Sequence, residues 1–390
     1  MMRTKIIAAS IDNYVYCVEG DYYVDKVGFD IINRYASSFK HVKLLARVNH
    51  TDKSQMDIHI IRLEFNNLTV VELPFVKSFL GLFLGLPRMV YTIKRNLRDC
   101  SLLISRAPSV TGFVILKAKP SNLKYCLEVV ANPYENSFCE RGFRRMHSLL
   151  QDYYLRIYCK NADAISYVTK NSLQKRYPCT KTGHLETYYS SIELSNSFFY
   201  PPGNRLGDNL KEIRILHVSN IMVGDYKGHE EVIKVTAELK KHGLNVKTRF
   251  VGDGPNRENY LQLAKALGID NDVEFLGFVQ RDNLSMLLRD SNLFLFPSKT
   301  EGLPKVVIEA MASSIPCVAS RVGGIPELLD DDCLFEPTDY LGMAKRIEKM
   351  FSSKDDFMKQ VKTCYERSWN YEATRLTQRR REFFSRLEEL

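Results

Sequence analysis

The sequence has no long hydrophobic run. Its most apolar stretch, residues 79–86, reads Phe-Leu-Gly-Leu-Phe-Leu-Gly-Leu, whereas a membrane-spanning helix needs about 20 apolar residues. The N-terminal segment Met1–Ser10 also lacks the apolar core and the cleavage site of a secretory signal, so no signal peptide is expected. These two absences argue against a membrane-spanning chain and predict a cytoplasmic location.

The nine cysteines form no pattern. They include no Cys-x-x-Cys pair, and their spacing to histidine is not that of a metal site. A disulfide framework or a zinc site is therefore not expected, and free thiols suit a reducing cytosol. Low-complexity tracts and the aromatic–basic motifs of nucleic-acid-binding proteins are absent as well, so no nucleic-acid partner is predicted.

What the sequence does contain is an uneven distribution of positive charge. The net charge is +9, and residues 1–200 contain 27 Lys and Arg against 17 Asp and Glu, so the whole excess lies in the first half. An excess of positive charge in one half of the chain indicates an anionic partner, for example membrane headgroups or a lipid-linked phosphate. An ordinary solvated surface is the alternative interpretation.

Two series of alternating strands and helices follow one another along the 390 residues. The first starts with a strand predicted at residues 4–9, passes through a polar segment predicted as a loop at residues 12–25, and ends near Pro178. A turn-rich linker, residues 199–208, precedes the second series, which begins at Ile213. This order predicts an α/β fold with domains 1–200 and 201–370, and a C-terminal helix in residues 371–390 that packs back on the first domain. Parallel sheets bind ligands at the carboxyl ends of their strands, so we expect the site in the cleft between the domains.

The chemistry-bearing residues are concentrated between Phe294 and Leu329. A strand ending at Pro297 is followed by a loop with Glu301, a helix with Glu309, a second strand and a glycine pair at residues 323–324. Helix N-termini bind phosphate through backbone amides, and a carboxylate accepts two hydroxyl groups of a sugar or ribose. Taken alone, the two glutamates could equally be a surface-loop residue and a solvated helix residue.

The context of the two glutamates is more specific. Residues 297–312 read Pro-Ser-x-x-Glu-Gly-x-Pro-x-x-x-x-Glu-Ala-Met-Ala, which resembles the Glu-x7-Glu signature of retaining GT-B glycosyltransferases of glycosyltransferase family 4. Four further pieces match in the expected order: Tyr-Lys-Gly (226–228), Val-Gly-Asp-Gly-Pro (251–255), Phe-Leu-Gly-Phe-Val (275–279) and Gly-Gly-Ile-Pro-Glu (323–327). The resemblance covers residues 213–335 and implies a GT-B fold, in which two Rossmann-like α/β/α domains face each other across a cleft.

The resemblance also implies roles for individual residues. Glu301, beside the donor hexose, and Lys227, against the donor diphosphate, are the implied catalytic residues, and Glu309 would bind the ribose hydroxyls. Members of the family often have an arginine several residues before the lysine, and here Ser219-Asn220 occupies that place. The other implied donor-binding residues are Gly302, Leu303, Asn220, Gly252, Phe278 and Val279.

The reaction implied is transfer of a hexose from a UDP- or GDP-sugar to a glycan or lipid-linked acceptor, with retention of configuration and without a metal or other cofactor. The absence of an Asp-x-Asp pair in a loop after a strand agrees with metal independence. Bacterial surface polysaccharide, such as capsule, exopolysaccharide or lipopolysaccharide, is the expected product. Two alternatives remain open: a non-catalytic nucleotide-sugar-binding partner subunit, and a sugar-nucleotide epimerase of the same fold.

The acceptor side is less well defined. Asn132, Glu135 and Arg106 follow or end strands of the first half and are candidates for the cleft, although ordinary loop residues would look the same. Residues 75–98 combine an apolar run with Lys94, Arg95 and Arg98. This segment could lie on an anionic membrane surface as a peripheral attachment, or it could be a core-facing helix pair.

Overall fold

The computed structural model describes residues 5–52, 60–75, 79–192, 194–203, 212–221 and 225–390, with backbone alone for residues 79–84, 220, 221 and 282. These residues form two α/β domains, one around a ten-stranded sheet and one around a six-stranded sheet. The predicted fold class is confirmed.

The first domain has a mixed sheet with helices around it. Its strands run in the order β10-β9-β8-β7-β1-β4-β2-β3-β5, and β6 also pairs with β4 in parallel. The strands are β1 (Ile7–Ser10), β2 (Val15–Val18), β3 (Asp21–Asp25), β4 (Val42–His50), β5 (Ile60–Arg62), β6 (Leu68–Pro74), β7 (Leu102–Ala107), β8 (Lys124–Val129), β9 (Ala164–Tyr167) and β10 (Leu185–Tyr188). The helices are α1 (Lys26–Ala36), α2 (Phe79–Asn96), α3 (Val110–Ala118), α4 (Pro133–Cys139), α5 (Gly142–Lys160) and α6 (Ser172–Arg176).

The segment predicted as a loop at residues 12–25 is a β-hairpin, so that prediction was wrong. Strands β2 and β3 pair antiparallel, with Tyr16 opposite Tyr23. Glu19 and Gly20 connect them with φ values of 52° and 91°. Two consecutive positive φ angles are typical of the tight turns that match strand twist. The tyrosines, which favour strands, were the available signal.

The second domain has a fully parallel sheet in the order β13-β12-β11-β14-β15-β16. Its strands are β11 (Ile213–Ile221), β12 (Val246–Asp253), β13 (Val273–Phe275), β14 (Leu293–Phe296), β15 (Cys317–Ser320) and β16 (Leu334–Phe335). Its helices are α7 (His229–Lys241), α8 (Arg257–Ala266), α9 (Arg281–Asp290), α10 (Lys305–Ala312), α11 (Tyr340–Ser352) and α12 (Lys354–Ser368). The central strand β14 is buried at every position, as expected for a strand covered on both faces.

The last helix, α13 (Ala373–Glu389), returns to the first domain. The ring of Phe384 lies 5.2 Å from that of Phe39 and 6.1 Å from that of Tyr35, centroid to centroid. Lys124 Nζ donates to the carbonyl oxygen of Leu390 at 2.8 Å. The chain therefore crosses between the domains a second time, and the aromatic contacts anchor its end on α1.

Candidate functional site

A cavity of about 240 Å³ lies at the carboxyl ends of β11 and β14. The residues that line it come from the ends of these strands, from the loop before α7 and from the start of α10: Val218, Ser219, Lys227, Phe296, Glu301, Pro304, Lys305 and Val306. The parallel sheet explains its position, since the loops that follow all its strands emerge at one edge.

Lys227 and Glu301 form an ion pair in this cavity. Lys227 Nζ lies 2.5 Å from Glu301 Oε1, and Ser298 Oγ donates to the same oxygen at 2.8 Å. The Glu301 side chain is 10% exposed and that of Lys227 is 34% exposed. The Glu301 carboxylate is therefore nearly buried and accepts two hydrogen bonds, whereas the Lys227 side chain is more exposed.

Glu309 is buried on α10, eight residues after Glu301 and about one turn into the helix. Burial raises the pKa of its carboxyl to about 7, and the positive charges of Arg281 and Lys305 offset part of that shift. Arg281 Nη2 is 3.5 Å from Glu309 Oε1. A buried carboxyl whose pKa is raised this far is unusual, and such groups are concentrated at functional sites.

The loop at Gly302 and Leu303 is also where the two domains meet. A Cβ on Gly302 would lie 2.5 Å from the carbonyl oxygen of Val130, at the end of β8, so the contact requires glycine. Leu303 packs against the core of the first domain as well as its own. Gly324 donates its backbone N–H to the carbonyl oxygen of Gly302 at 2.7 Å, so the glycine pair contacts this loop directly.

A second interdomain contact is made by Glu327, the last residue of the Gly-Gly-Ile-Pro-Glu motif. Its carboxylate accepts the backbone N–H groups of Lys170, Asn171 and Ser172 at 2.6, 2.8 and 2.5 Å. These amides lead into α6 of the other domain and have no partner within that helix, and negative charge is favoured at such a position. The Gly-Gly-Ile-Pro-Glu motif marks Glu327 in the sequence, but the motif does not indicate which amides this glutamate contacts.

Gly252, Phe278 and Val279, three of the other donor-binding candidates, are not among the described residues that line the cavity. Gly252 has a φ of 121° and donates its backbone N–H to the carbonyl oxygen of Gly277 at 2.8 Å, which joins the end of β12 to the loop after β13. In that loop Phe278 is 74% exposed, and Val279 packs on the core. Asn220 lies in the last part of β11, and its side chain is outside the described part of the structure.

The three acceptor-side candidates have different surroundings. Glu135 Oε1 accepts the N–H of Gly323 from the second domain at 3.3 Å, and burial raises the pKa of its carboxyl. Asn132 is buried and accepts the hydroxyl of Tyr177 at 2.8 Å. The structure therefore brings Glu135 to the glycine loop of the second domain, and the side chain of Asn132 hydrogen-bonds to Glu135.

Arg106 belongs to a buried polar network of the first domain. Its Nη1 lies 3.0 Å from Glu128 Oε2, and the hydroxyls of Tyr35 and Tyr189 donate to the same carboxylate at 2.7 and 2.8 Å. Three side chains bond to the Glu128 carboxylate, and Arg106 is held by its ion pair within this network. Arg106 is therefore better described as a structural support of the first domain than as a group free to bind an acceptor.

One group of possible metal ligands occurs among the described residues, and it is not at the cavity. Cys17, His50 and Glu72 have ligand atoms within 4.8 Å of one another, on strands β2, β4 and β6. His50 Nε2 and Glu72 Oε2 are already bonded to each other at 2.9 Å.

Part of the chain matches a known protein family. Residues 204–367 match the family model of the group 1 glycosyl transferases. Protein CapJ of Staphylococcus aureus is 28% identical over 337 residues, which are 86% of this chain and 83% of CapJ. The other curated relatives match over roughly a quarter to a half of their own length.

Two solved structures share the fold over the whole chain at low sequence identity. HepE of Anabaena, solved with UDP and glucose, has a TM-score of 0.63 at 16% identity, covering 100% of both chains. WaaG, a glycosyltransferase involved in lipopolysaccharide biosynthesis, has a TM-score of 0.62 at 16% identity, covering 97% of this chain and 99% of WaaG.

The fold is therefore that of the GT-B glycosyltransferases. The match to the group 1 glycosyl transferase model spans residues 204–367 and so includes the motifs of residues 226–327. Within the described residues, no helix has the length and apolar character needed to cross a membrane.

Proposed function

We propose that the protein transfers a hexose from a nucleoside-diphosphate sugar, UDP- or GDP-linked, to a glycan or lipid-linked acceptor with retention of configuration. The observation that carries the proposal is the ion pair of Glu301 and Lys227 in one cavity, with Glu309 one turn into the helix whose first residues line that cavity, in the loop-and-helix context shared with the group 1 family. HepE, which has the same fold, binds UDP and glucose, and this supports a nucleotide-sugar donor here.

In the proposed reaction, Glu301 positions the hexose hydroxyls and Glu309 the ribose hydroxyls. Lys227 stabilises the negative charge that develops on the leaving diphosphate, a form of electrostatic catalysis that needs no metal. Glu301 is the one carboxylate among the described residues that line the cavity, so no second carboxylate is available there as a nucleophile. We therefore infer that the acceptor hydroxyl attacks from the same face as the leaving group, and that the leaving diphosphate accepts its proton.

We further propose that the product is a bacterial surface polysaccharide. The support is the similarity to WaaG, together with the excess positive charge of the first 200 residues, which suits an acceptor bound at an anionic membrane. The protein would then act in the cytoplasm, attached peripherally to the inner face of the membrane.

An apolar groove of about 470 Å³ between α2, α3 and α5 supports the membrane attachment. Val90, Phe113 and Leu150 are among its apolar lining residues, and Lys94 and Lys117 line it as well. Next to it, α5 exposes a continuous set of apolar side chains: Phe143, Met146, Leu149, Leu150, Tyr153, Tyr154 and Ile157. An apolar face with basic groups at its edge is complementary to an anionic lipid.

Sedimentation with vesicles tests the attachment. We expect binding to phosphatidylglycerol vesicles and little to phosphatidylcholine vesicles, with Leu150→Glu weakening it. Leu341→Glu is the matched control, because Leu341 is 52% exposed on the second domain. Equal binding of all three proteins would refute the assignment of this face.

The donor assignment is tested by thermal unfolding with a panel of UDP-, GDP- and ADP-sugars. A true donor at a hundredfold excess over its dissociation constant stabilises the protein by about 2.7 kcal/mol. Glu301→Ala should retain donor binding and lose transfer, measured as release of nucleoside diphosphate with bacterial lipid extract as acceptor. No shift with any nucleotide sugar would refute the donor, and transfer by Glu301→Ala at the wild-type rate would refute the role of Glu301.

The partner-subunit alternative predicts a different outcome. Such a protein would bind the nucleotide sugar but release no nucleoside diphosphate with any acceptor until a second subunit is added. The family match favours a transferase over an epimerase.

A further inference from the structure

The residues so far assigned to the donor do not provide enough positive charge for a diphosphate. The ammonium of Lys227 is already paired with Glu301 at 2.5 Å, so the two together are neutral. Glu309 adds negative charge whenever it is ionised, and Arg281 lies against it at 3.5 Å. At the end of β11 the cavity is lined by Val218 and Ser219, which carry no charge.

Lys305 supplies the missing charge. It lines the same cavity as Lys227 and Glu301, at the first position of α10. Among the residues that the structure describes, its ammonium forms no hydrogen bond and no ion pair, and its side chain is exposed to the cleft. It is therefore a cation with its donors available.

The charges around Lys305 make the location attractive to an anion. Desolvation by the surrounding cleft and the positive charges of Arg34, Arg281 and Arg106 lower the pKa of the Lys305 ammonium, against an opposing effect of Glu309. Arg34 comes from α1 of the first domain, so both domains contribute positive potential at this point. An ammonium crowded by like charges is stabilised when an anion binds between them.

The order of residues along the chain fits the order of groups in the donor. Lys305 and Glu309 are four residues apart on α10 and so lie one turn apart on the same face of that helix. Glu301 precedes the helix. The sequence Glu301, Lys305, Glu309 thus matches hexose, diphosphate and ribose, in that order.

We propose that Lys305 binds the diphosphate of the nucleotide sugar directly, in place of a cation at the end of β11. The proposal rests on the proposed function, since it assumes a nucleoside-diphosphate donor in this cavity. Its chemistry is that of a flexible point charge with three donors, which suits phosphate oxygens.

The test is the affinity of Lys305→Met for UDP and GDP, measured by isothermal titration calorimetry, with the corresponding monophosphates for comparison. A hydrogen bond to a charged group contributes enough that we expect roughly a 10- to 100-fold loss for the diphosphate. The monophosphate should be affected much less, and Lys305→Arg should retain most of the diphosphate affinity. Lys265→Met, an exposed lysine on α8, removes the same charge and should leave both affinities unchanged.

The outcomes separate the inference from the proposed function. If the wild type binds neither UDP nor GDP, the proposed function fails, and this inference fails with it. If the wild type binds a diphosphate and Lys305→Met binds it equally well, the inference alone is overturned. Equal losses for the diphosphate and the monophosphate would also overturn it, because a general structural effect would not distinguish the two.

Discussion

Replacing Glu309 by glutamine should stabilise the protein and weaken its binding of nucleotide. The carboxyl group is buried on α10, and its pKa is raised from 4.5 to about 7. A raised pKa means that ionising this carboxyl costs more free energy in the folded state than in the unfolded state. Glutamine keeps the shape and removes the charge.

The size of the effect follows from the shift. At about 1.4 kcal/mol per pH unit, a pKa of about 7 against 4.5 corresponds to a cost of roughly 3 kcal/mol. Between pH 4.5 and 7 the folded state binds more protons than the unfolded state, so stability falls as the pH rises through this window. The cost is complete above pH 7 and absent below pH 4.5. Since a buried amide also needs partners, we expect a gain of about 1–3 kcal/mol for Glu309→Gln at pH 8 and none near pH 4.5.

Urea unfolding at the two pH values measures the gain, and UDP titration measures the loss of affinity. Glu258→Gln, which changes an exposed glutamate of α8, is the matched control and should alter neither. If Glu309→Gln is no more stable than the wild type at pH 8, the burial argument is wrong. If it is more stable but binds UDP and GDP as the wild type does, the ribose-binding role is wrong.

Two further predictions concern the contact between the domains and the core of the second domain. Glu327→Gln removes the negative charge that accepts the amides of Lys170, Asn171 and Ser172; we expect a larger radius of gyration by small-angle scattering and a raised KM for the donor, and an unchanged radius would contradict the role of this contact. Burial lowers the pKa of His229 to about 4, so its ring stays neutral in the folded state while the unfolded chain protonates below pH 6.5. Stability should therefore fall by about 1.4 kcal/mol per unit as the pH drops from 6.5 toward 4. His229→Phe should show a shallower fall in urea midpoint between pH 7 and 5, and an identical fall would refute the assignment.

Much of the second domain could be predicted because its signals are local. The stretch from Pro297 to Ala312 sets Glu301, Lys305 and Glu309 along one loop and one helix, and helical spacing alone fixes which of them share a face. The strands of this domain are short apolar runs bounded by glycine, proline or polar residues, which is typical of buried parallel strands. The same helical spacing could have indicated Lys305, because it lies one turn before Glu309 on the same face of α10.

The first domain was harder because its irregular parts depend on partners. The hairpin of β2 and β3 has polar and aromatic residues that suit a loop as well as a strand, and its pairing with β4 and β5 decides between the two. Arg106 was a reasonable cleft residue in the sequence, but Glu128, Tyr35 and Tyr189 surround it in the folded domain. Nothing in the spacing of these residues indicates that they meet.

The sequence by itself determined the α/β class, the two-domain order and the loop and helix that present two glutamates to a ligand, because these depend on short-range backbone preferences and on helical or strand periodicity. Only the tertiary structure decided that Lys227 pairs with Glu301, that Glu327 contacts α6 and that α13 anchors on α1. Each of these contacts joins residues far apart in the chain. Their formation depends on the packing of both domains together, and this is a property of the whole fold.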